Sequence, residues 1–121
     1  MIKCYIILRD DLQMSPAKMC VQGGHAMDIV WSLINEHPTD SVMKWAEEYH
    51  RRKIVLKIST LEKLENLEKY LTENKILAYK IIDNGLTEFN GKTVTGLVIP
   101  PYFDDERLLA LPKWKRLQLW K

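Results

Sequence analysis

The chain has 121 residues, 46% hydrophobic and 28% charged, with 18 Lys plus Arg against 16 Asp plus Glu. That length and composition fit one globular domain rather than a disordered chain, and the near-neutral balance means that any basic surface for nucleic acid must be local. Two cysteines exclude a disulfide framework, and no run approaches the roughly 20 apolar residues of a membrane span.

The N-terminal run over 2–8 is apolar, β-branched and short, with no small-residue cleavage site after it. It reads as a buried strand rather than a signal peptide, and the expected compartment is a reducing cytoplasm. Ser15-Pro16 then marks a helix start, with Ser as the cap and Pro at the first helical position. This first helix is expected over 16–34, since Pro38 bars much further extension. A second follows over 40–50, and a second strand over 53–58.

Ser59-Thr60-Leu61-Glu62 fits a capping box in which Ser59 and Glu62 satisfy each other's backbone donors. Leu61, Leu64, Leu67 and Leu71 then recur at helical spacing and give a third helix one apolar face. A third strand is expected over 76–82 and a turn at Asp83-Asn84-Gly85. Asn90-Gly91 reads as a hairpin turn into a fourth strand over 93–99, and a short helix over 104–111 closes the domain. Strands alternate with helices except in the last pair. The pattern predicts a three-layer α/β/α domain with a mixed four-stranded, mostly parallel sheet and one antiparallel member.

The first helix carries unusual residues. Lys18, Gln22 and His25 fall within about a 60° arc at 100° per residue, one polar stripe on a helix otherwise apolar nearly all round. Such a helix is expected to be covered on several sides. Gly23-Gly24 in its middle costs roughly 1 kcal/mol per residue relative to Ala, which suggests a close approach by sheet, partner or ligand. Cys20-x4-His25 lacks the second ligand pair of a structural zinc site. A second polar set comprises Asp83, Thr87, Thr93 and Thr95. Asp83 ends a strand, where sites collect in open α/β sheets, but Asp83-Asn84 are also ordinary turn formers and threonines ordinary β formers.

Two segments together resemble the type II peptidyl-tRNA hydrolase family, the archaeal and eukaryotic type. Met14-Ser15-Pro16-Ala17-Lys18-Met19-Cys20-Val21-Gln22-Gly23-Gly24-His25-Ala26 is similar to the family's first helix. Ala17 stands where the family usually has Gly, and Cys20-Val21 where it has Ala-Ala. Asp83-Asn84-Gly85-Leu86-Thr87-Glu88 with Gly91-Lys92-Thr93-Val94-Thr95-Gly96 is similar to its Asp-x-Gly-x-Thr turn and following strand. The resemblance covers about 2–111 of one domain spanning 1–121, with a basic, aromatic tail over 113–121 outside it.

The resemblance implies hydrolysis of the ester joining a peptide to the terminal ribose of tRNA, with no metal and no cofactor. It assigns catalysis to Lys18, Gln22, His25, Asp83 and Thr93, and substrate binding to Thr87, Thr95 and Lys92. His25 and Asp83 would orient or deprotonate water, and Lys18 would stabilise an oxyanion or phosphate. Two other readings stay open: a non-catalytic RNA-binding homologue of the same fold, and an interaction module that dimerises through the first helix and the tail. The tail itself, with four basic residues and Trp114 and Trp120, suits either RNA contact or docking on the body.

Overall fold

An apolar run such as Cys4 to Leu8 can leave neither face in water, and it becomes the central strand of the sheet. The structure, a computed structural model, describes residues 1–86 and 89–121. Its elements are β1 (Cys4–Arg9), α1 (Pro16–Glu36), α2 (Asp40–Glu47), β2 (Lys53–Ile58), α3 (Leu61–Glu73), β3 (Tyr79–Asp83), β4 (Thr93–Ile99), α4 (Glu106–Leu109), a 3₁₀ turn at Trp114–Arg116 and β5 (Gln118–Leu119). The sheet order is β3-β4-β1-β2-β5.

Successive side chains of β1 alternate between two cores. Tyr5 and Ile7 join Leu64, Leu67 and Leu71 of α3 on one face. Cys4, Ile6 and Leu8 join Ala26, Val30 and Trp45 of α1 and α2 on the other. Two helical layers thus sandwich the sheet, as the alternating pattern predicts. Burial pushes the Cys4 thiol up to about 12.

β1 and β2 run parallel, β4 runs antiparallel to β1, and β3 antiparallel to β4. Three strands therefore share one direction, and β4 is the expected antiparallel member. Two features correct the expectation. The β3–β4 connection is too short for a crossover, so β4 pairs beside β3 and lies between it and β1. As a result, among the described residues β1 with β2 forms the one parallel ladder. The tail also supplies a fifth strand, with Leu56 opposite Leu119 and Lys57 opposite Gln118.

Element ends shift for local reasons. Ser15 caps α1 by accepting from the Lys18 N–H at 3.1 Å, as predicted, and the helix runs two residues beyond 34. α2 stops at Glu47 because His50 and Arg51 take left-handed φ values of 55° and turn the chain back toward β2. The cap of α3 is Thr60, not Ser59: Thr60 Oγ1 accepts from the Lys63 N–H at 3.1 Å. That places Lys63 rather than Glu62 three residues on, so no reciprocal box forms. Ile76 is buried but sits in the turn after α3, and β3 begins only at Tyr79. The closing helix shrinks to α4, with Asp105 as its cap and the Asp105 carboxylate 2.7 Å from the Lys3 ammonium.

The tail docks on the body. Trp114 is buried with its ring edge-on to Tyr5 at 5.1 Å, and the Trp120 N–H bonds the Val55 carbonyl at 2.9 Å. No helix of the described residues is long and apolar enough to cross a membrane.

Candidate active site

The buried row of α1 is Lys18, Gln22, Ala26 and Val30, four residues spaced one turn apart. Its C-terminal half enters the apolar core, while its N-terminal half brings an ammonium and an amide to the sheet. The row is covered by the sheet and, at Ala26 and Val30, by the core cluster that includes Trp45 of α2, while the opposite side of the helix is open. Val21 and Trp31 remain 45% and 40% exposed, so α1 is not the helix covered on several sides that its composition suggests.

Opposite Lys18 and Gln22 stands Asp83, the last residue of β3 at the carboxyl edge of the sheet. The turn after it is shaped by Gly85, at φ +75°, where an added Cβ would collide with the Gly91 backbone. That turn aims the Gly85 N–H at Asp83 Oδ1, 2.7 Å away. On β4 the register with β3 slips between Ile81 and Ile82: Ile81 faces Gly96, and Ile82 faces Val94. Thr95 is the extra residue of this bulge, and its side chain turns toward α1.

The polar groups converge on one oxygen. Asp83 Oδ2 accepts from Gln22 Nε2 at 2.9 Å, lies 3.0 Å from Lys18 Nζ, and lies 3.2 Å from His25 Nε2. The other end of Gln22 is held too, since the Thr95 hydroxyl donates to its Oε1 at 2.7 Å. Gln22, Asp83 and Thr95 are almost wholly buried and Lys18 is 7% exposed, whereas the His25 side chain is 38% exposed. Lys18 Nζ also lies 5.2 Å from the centroid of the Phe89 ring.

Burial alone would raise the Asp83 carboxyl. Hydrogen bonds from Gln22, the Gly85 N–H, Lys18 and His25 outweigh it and hold the group well below the usual carboxylate range. A carboxylate with four donors accepts a proton poorly, so its chemical use is to fix charge and orientation. It accepts only, so the His25 nitrogen facing it carries hydrogen. In the neutral ring Nδ1 is then an acceptor, on the one side chain of the cluster that is not buried.

Of the residues expected at the site, Lys18, Gln22, His25, Asp83 and Thr95 assemble. Thr95 is walled off from solvent and braces Gln22, so it does not stand where the resemblance placed it, against substrate. Thr93 lies directly opposite Asp83 in the ladder, but its hydroxyl donates to the Gly91 carbonyl at 3.0 Å, within the turn. Lys92 is exposed beside it. Thr87 lies outside the described residues. An added Cβ at Gly23 or Gly24 would meet nothing within 4 Å, so the close packing read from that pair is absent among the described residues. Phe89 and the Gly85 N–H escape a reading of the sequence, because a ring in a loop and a backbone donor carry no polar signal of their own.

The family model for peptidyl-tRNA hydrolase PTH2 matches residues 2–108. Among curated relatives, a peptidyl-tRNA hydrolase of Methanothermobacter thermautotrophicus is 31% identical over 88% of this chain and 91% of its own. That of Methanopyrus kandleri is 32% identical over 88% and 90%, and that of Saccharolobus islandicus 33% over 84% and 87%. With the matched region running from the start of β1 through the Asp83 turn and β4 into α4, the chain belongs to the PTH2 family of peptidyl-tRNA hydrolases.

Proposed function

We propose that this protein hydrolyses the ester of peptidyl-tRNA and that the cluster around Asp83 is its active site. The observation that carries the reading is the convergence of Lys18, Gln22 and His25 on one buried carboxylate at the sheet's carboxyl edge, in a chain of this family.

The roles follow from the geometry. Asp83 stays ionised and holds the Nε2–H of His25, so Nδ1 is the base that takes a proton from water. The water oxygen bonds the ester carbonyl carbon, and the oxyanion that forms is stabilised by the Lys18 ammonium. Collapse of the tetrahedral species breaks the bond to the ribose oxygen, which receives the proton held by His25. The products are a peptide acid and free tRNA. Gln22, clamped between Thr95 and Asp83, is a positioning residue and fixes the carboxylate. Thr93 and Lys92, on the rim, meet the terminal nucleotide, and Thr87 belongs to the same set.

The fitting compartment is a reducing cytoplasm, where the two free thiols, buried Cys4 and exposed Cys20, persist. A homodimer would use the outward side of α1 around Val21 and Trp31, and sedimentation tests it. The test of function is release of a labelled N-acyl-amino acid from N-acyl-aminoacyl-tRNA with chelator present. Wild type should release it, and His25→Ala should be slower by about 10²- to 10⁴-fold while remaining folded. No release from folded wild type that still binds tRNA would overturn the hydrolase reading in favour of an RNA-binding homologue.

A further inference from the structure

A second concave surface lies at the same end of the sheet. Because β1, β2 and β3 share a direction, Ile58 at the end of β2 and Asp83 at the end of β3 open on one edge, and β5 begins there as well. Between the end of β2, the N-terminal half of α3 and the docked tail is a cavity of about 570 Å³. Lys63, Lys113 and Arg116 line it together with the end of β2 at Lys57 and Ile58, against one carboxylate, Asp10. Among the described residues none of these cations is paired with a carboxylate, and Lys113 has only the Tyr70 ring at 4.8 Å. On the same layer Lys80 sits between Glu65 and Glu68. Bare like charges in a concavity focus a positive potential where a polyanion can approach.

The tail makes this surface. Trp114 and Leu117 turn inward against Tyr5 and its neighbours, and this anchoring leaves Lys113 and Arg116 on the cavity wall. The two earlier readings of the tail are therefore compatible: its apolar side chains dock and its charges face a ligand.

We propose that this cavity binds backbone phosphates of the tRNA whose 3′ end is presented to the Asp83 cluster. The inference rests on the peptidyl-tRNA reading. The Asp83 cluster lies in the α1 layer and the cavity in the α3 layer, and in the order β3-β4-β1-β2 three interstrand steps of about 4.8 Å give a lateral separation of roughly 14 Å along their shared edge. At about 3.4 Å per stacked nucleotide that lateral step alone spans about four nucleotides, so the cavity meets the RNA at least that far from the ester, beyond its terminal nucleotide. An Arg fork with two ammonium groups suits several phosphates at once, and a polyanion of regular spacing can use them all.

The experiment measures binding of deacylated tRNA against salt concentration for wild type, for Lys113→Gln with Arg116→Gln, and for Lys44→Gln with Lys69→Gln. The last pair removes the same charge from exposed helix positions outside the cavity. Losing two phosphate contacts should weaken binding by about 10- to 30-fold near 0.1 M salt and flatten the log–log salt slope by about 1.5. The control pair should change neither by half as much, and in turnover the loss should appear in KM rather than kcat. An unchanged slope for the cavity pair, or an equal loss in the control pair, overturns the proposal. So does an effect that follows the acidity of the attached peptide while tRNA binding holds. Salt-dependent tRNA binding that needs the cavity in a protein without ester cleavage would support the cavity and sink the hydrolase reading instead, so the two failures are distinguishable.

Discussion

His25 and Asp83 share a single contact, Nε2 to Oδ2 at 3.2 Å, and it joins the most exposed member of the cluster to one of its most buried. The carboxylate cannot donate, so the contact sets the tautomer of the ring. It also lets the solvent-facing side chain inherit an orientation from the protein interior, the arrangement that a water-activating imidazole needs.

Replacing Asp83 separates its electrostatic and stabilising roles. Asp83→Asn leaves the buried Lys18 ammonium without its counter-charge and should cost on the order of 3 kcal/mol at neutral pH, with kcat falling about 10²-fold or more. The folded carboxyl is depressed, so its contribution to stability is complete above the unfolded value near 4 and fades as pH falls through the lower folded value. Thermal melts from pH 7 to pH 2 should therefore show a steep acid-side loss in wild type and a shallower one in Asp83→Asn. A residual loss comes from Asp105, which burial would raise but Lys3 holds low. Parallel pH profiles in the two proteins would refute the assignment.

Thr95 tests whether bracing Gln22 matters. Thr95→Val removes the hydroxyl from a fully buried position and strands Gln22 Oε1, an expected cost of about 1–3 kcal/mol. Turnover should fall while KM holds, because Gln22 and Asp83 lose their fixed positions. Thr95→Ser keeps the donor and should recover most of both. If valine is tolerated as well as serine, the bulge serves packing only.

The glycine pair in α1 offers a gain. With open space around both Cβ positions, Gly23→Ala and Gly24→Ala should each raise stability by about 0.5–1 kcal/mol, or roughly 2–5 °C in Tm. Calorimetry settles the sign. A rise in Tm together with a rise in KM would show that substrate passes over this bare stretch of helix beside His25. A fall in Tm would contradict the open surface.

Truncation after Pro112 removes Trp114, Leu117 and β5 together, which uncovers Tyr5 and the free edge of β2. Loss of a buried Trp alone costs about 3–5 kcal/mol, so Tm should fall by 10 °C or more. A truncated chain that melts like wild type would show that the tail is not part of the fold.

Much of this was legible in the residues. The spacing of Lys18, Gln22 and His25 placed them on one helical face, and the Ser15 cap fixed where that helix begins. Asp83 was legible as the end of a strand, though not as an ion, because the Gly85 N–H and the Gln22 amide that depress its pKa come from a turn geometry and a long-range contact. β5 was not legible: two residues of edge strand carry no periodicity, and the partner that makes them a strand is β2, some 60 positions earlier. Thr60 displaced Ser59 as cap because adjacent hydroxyls offer the same chemistry, and one residue of register decides between them.

The bulge at Thr95 has a consequence for how β4 can change. Counted as an ordinary strand, Thr93, Thr95, Leu97 and Ile99 all have the same parity and would share a face, which would drive two hydroxyls into the leucine layer under α3. The inserted residue resets the phase, so Val94 joins Leu97 and Ile99 while Thr95 crosses to the Asp83 layer. Deleting one residue here would not merely shorten a strand. It would exchange the contents of the two layers upstream of Gly96, and the polar cluster would be lost in the same event that buried its remnants in oil.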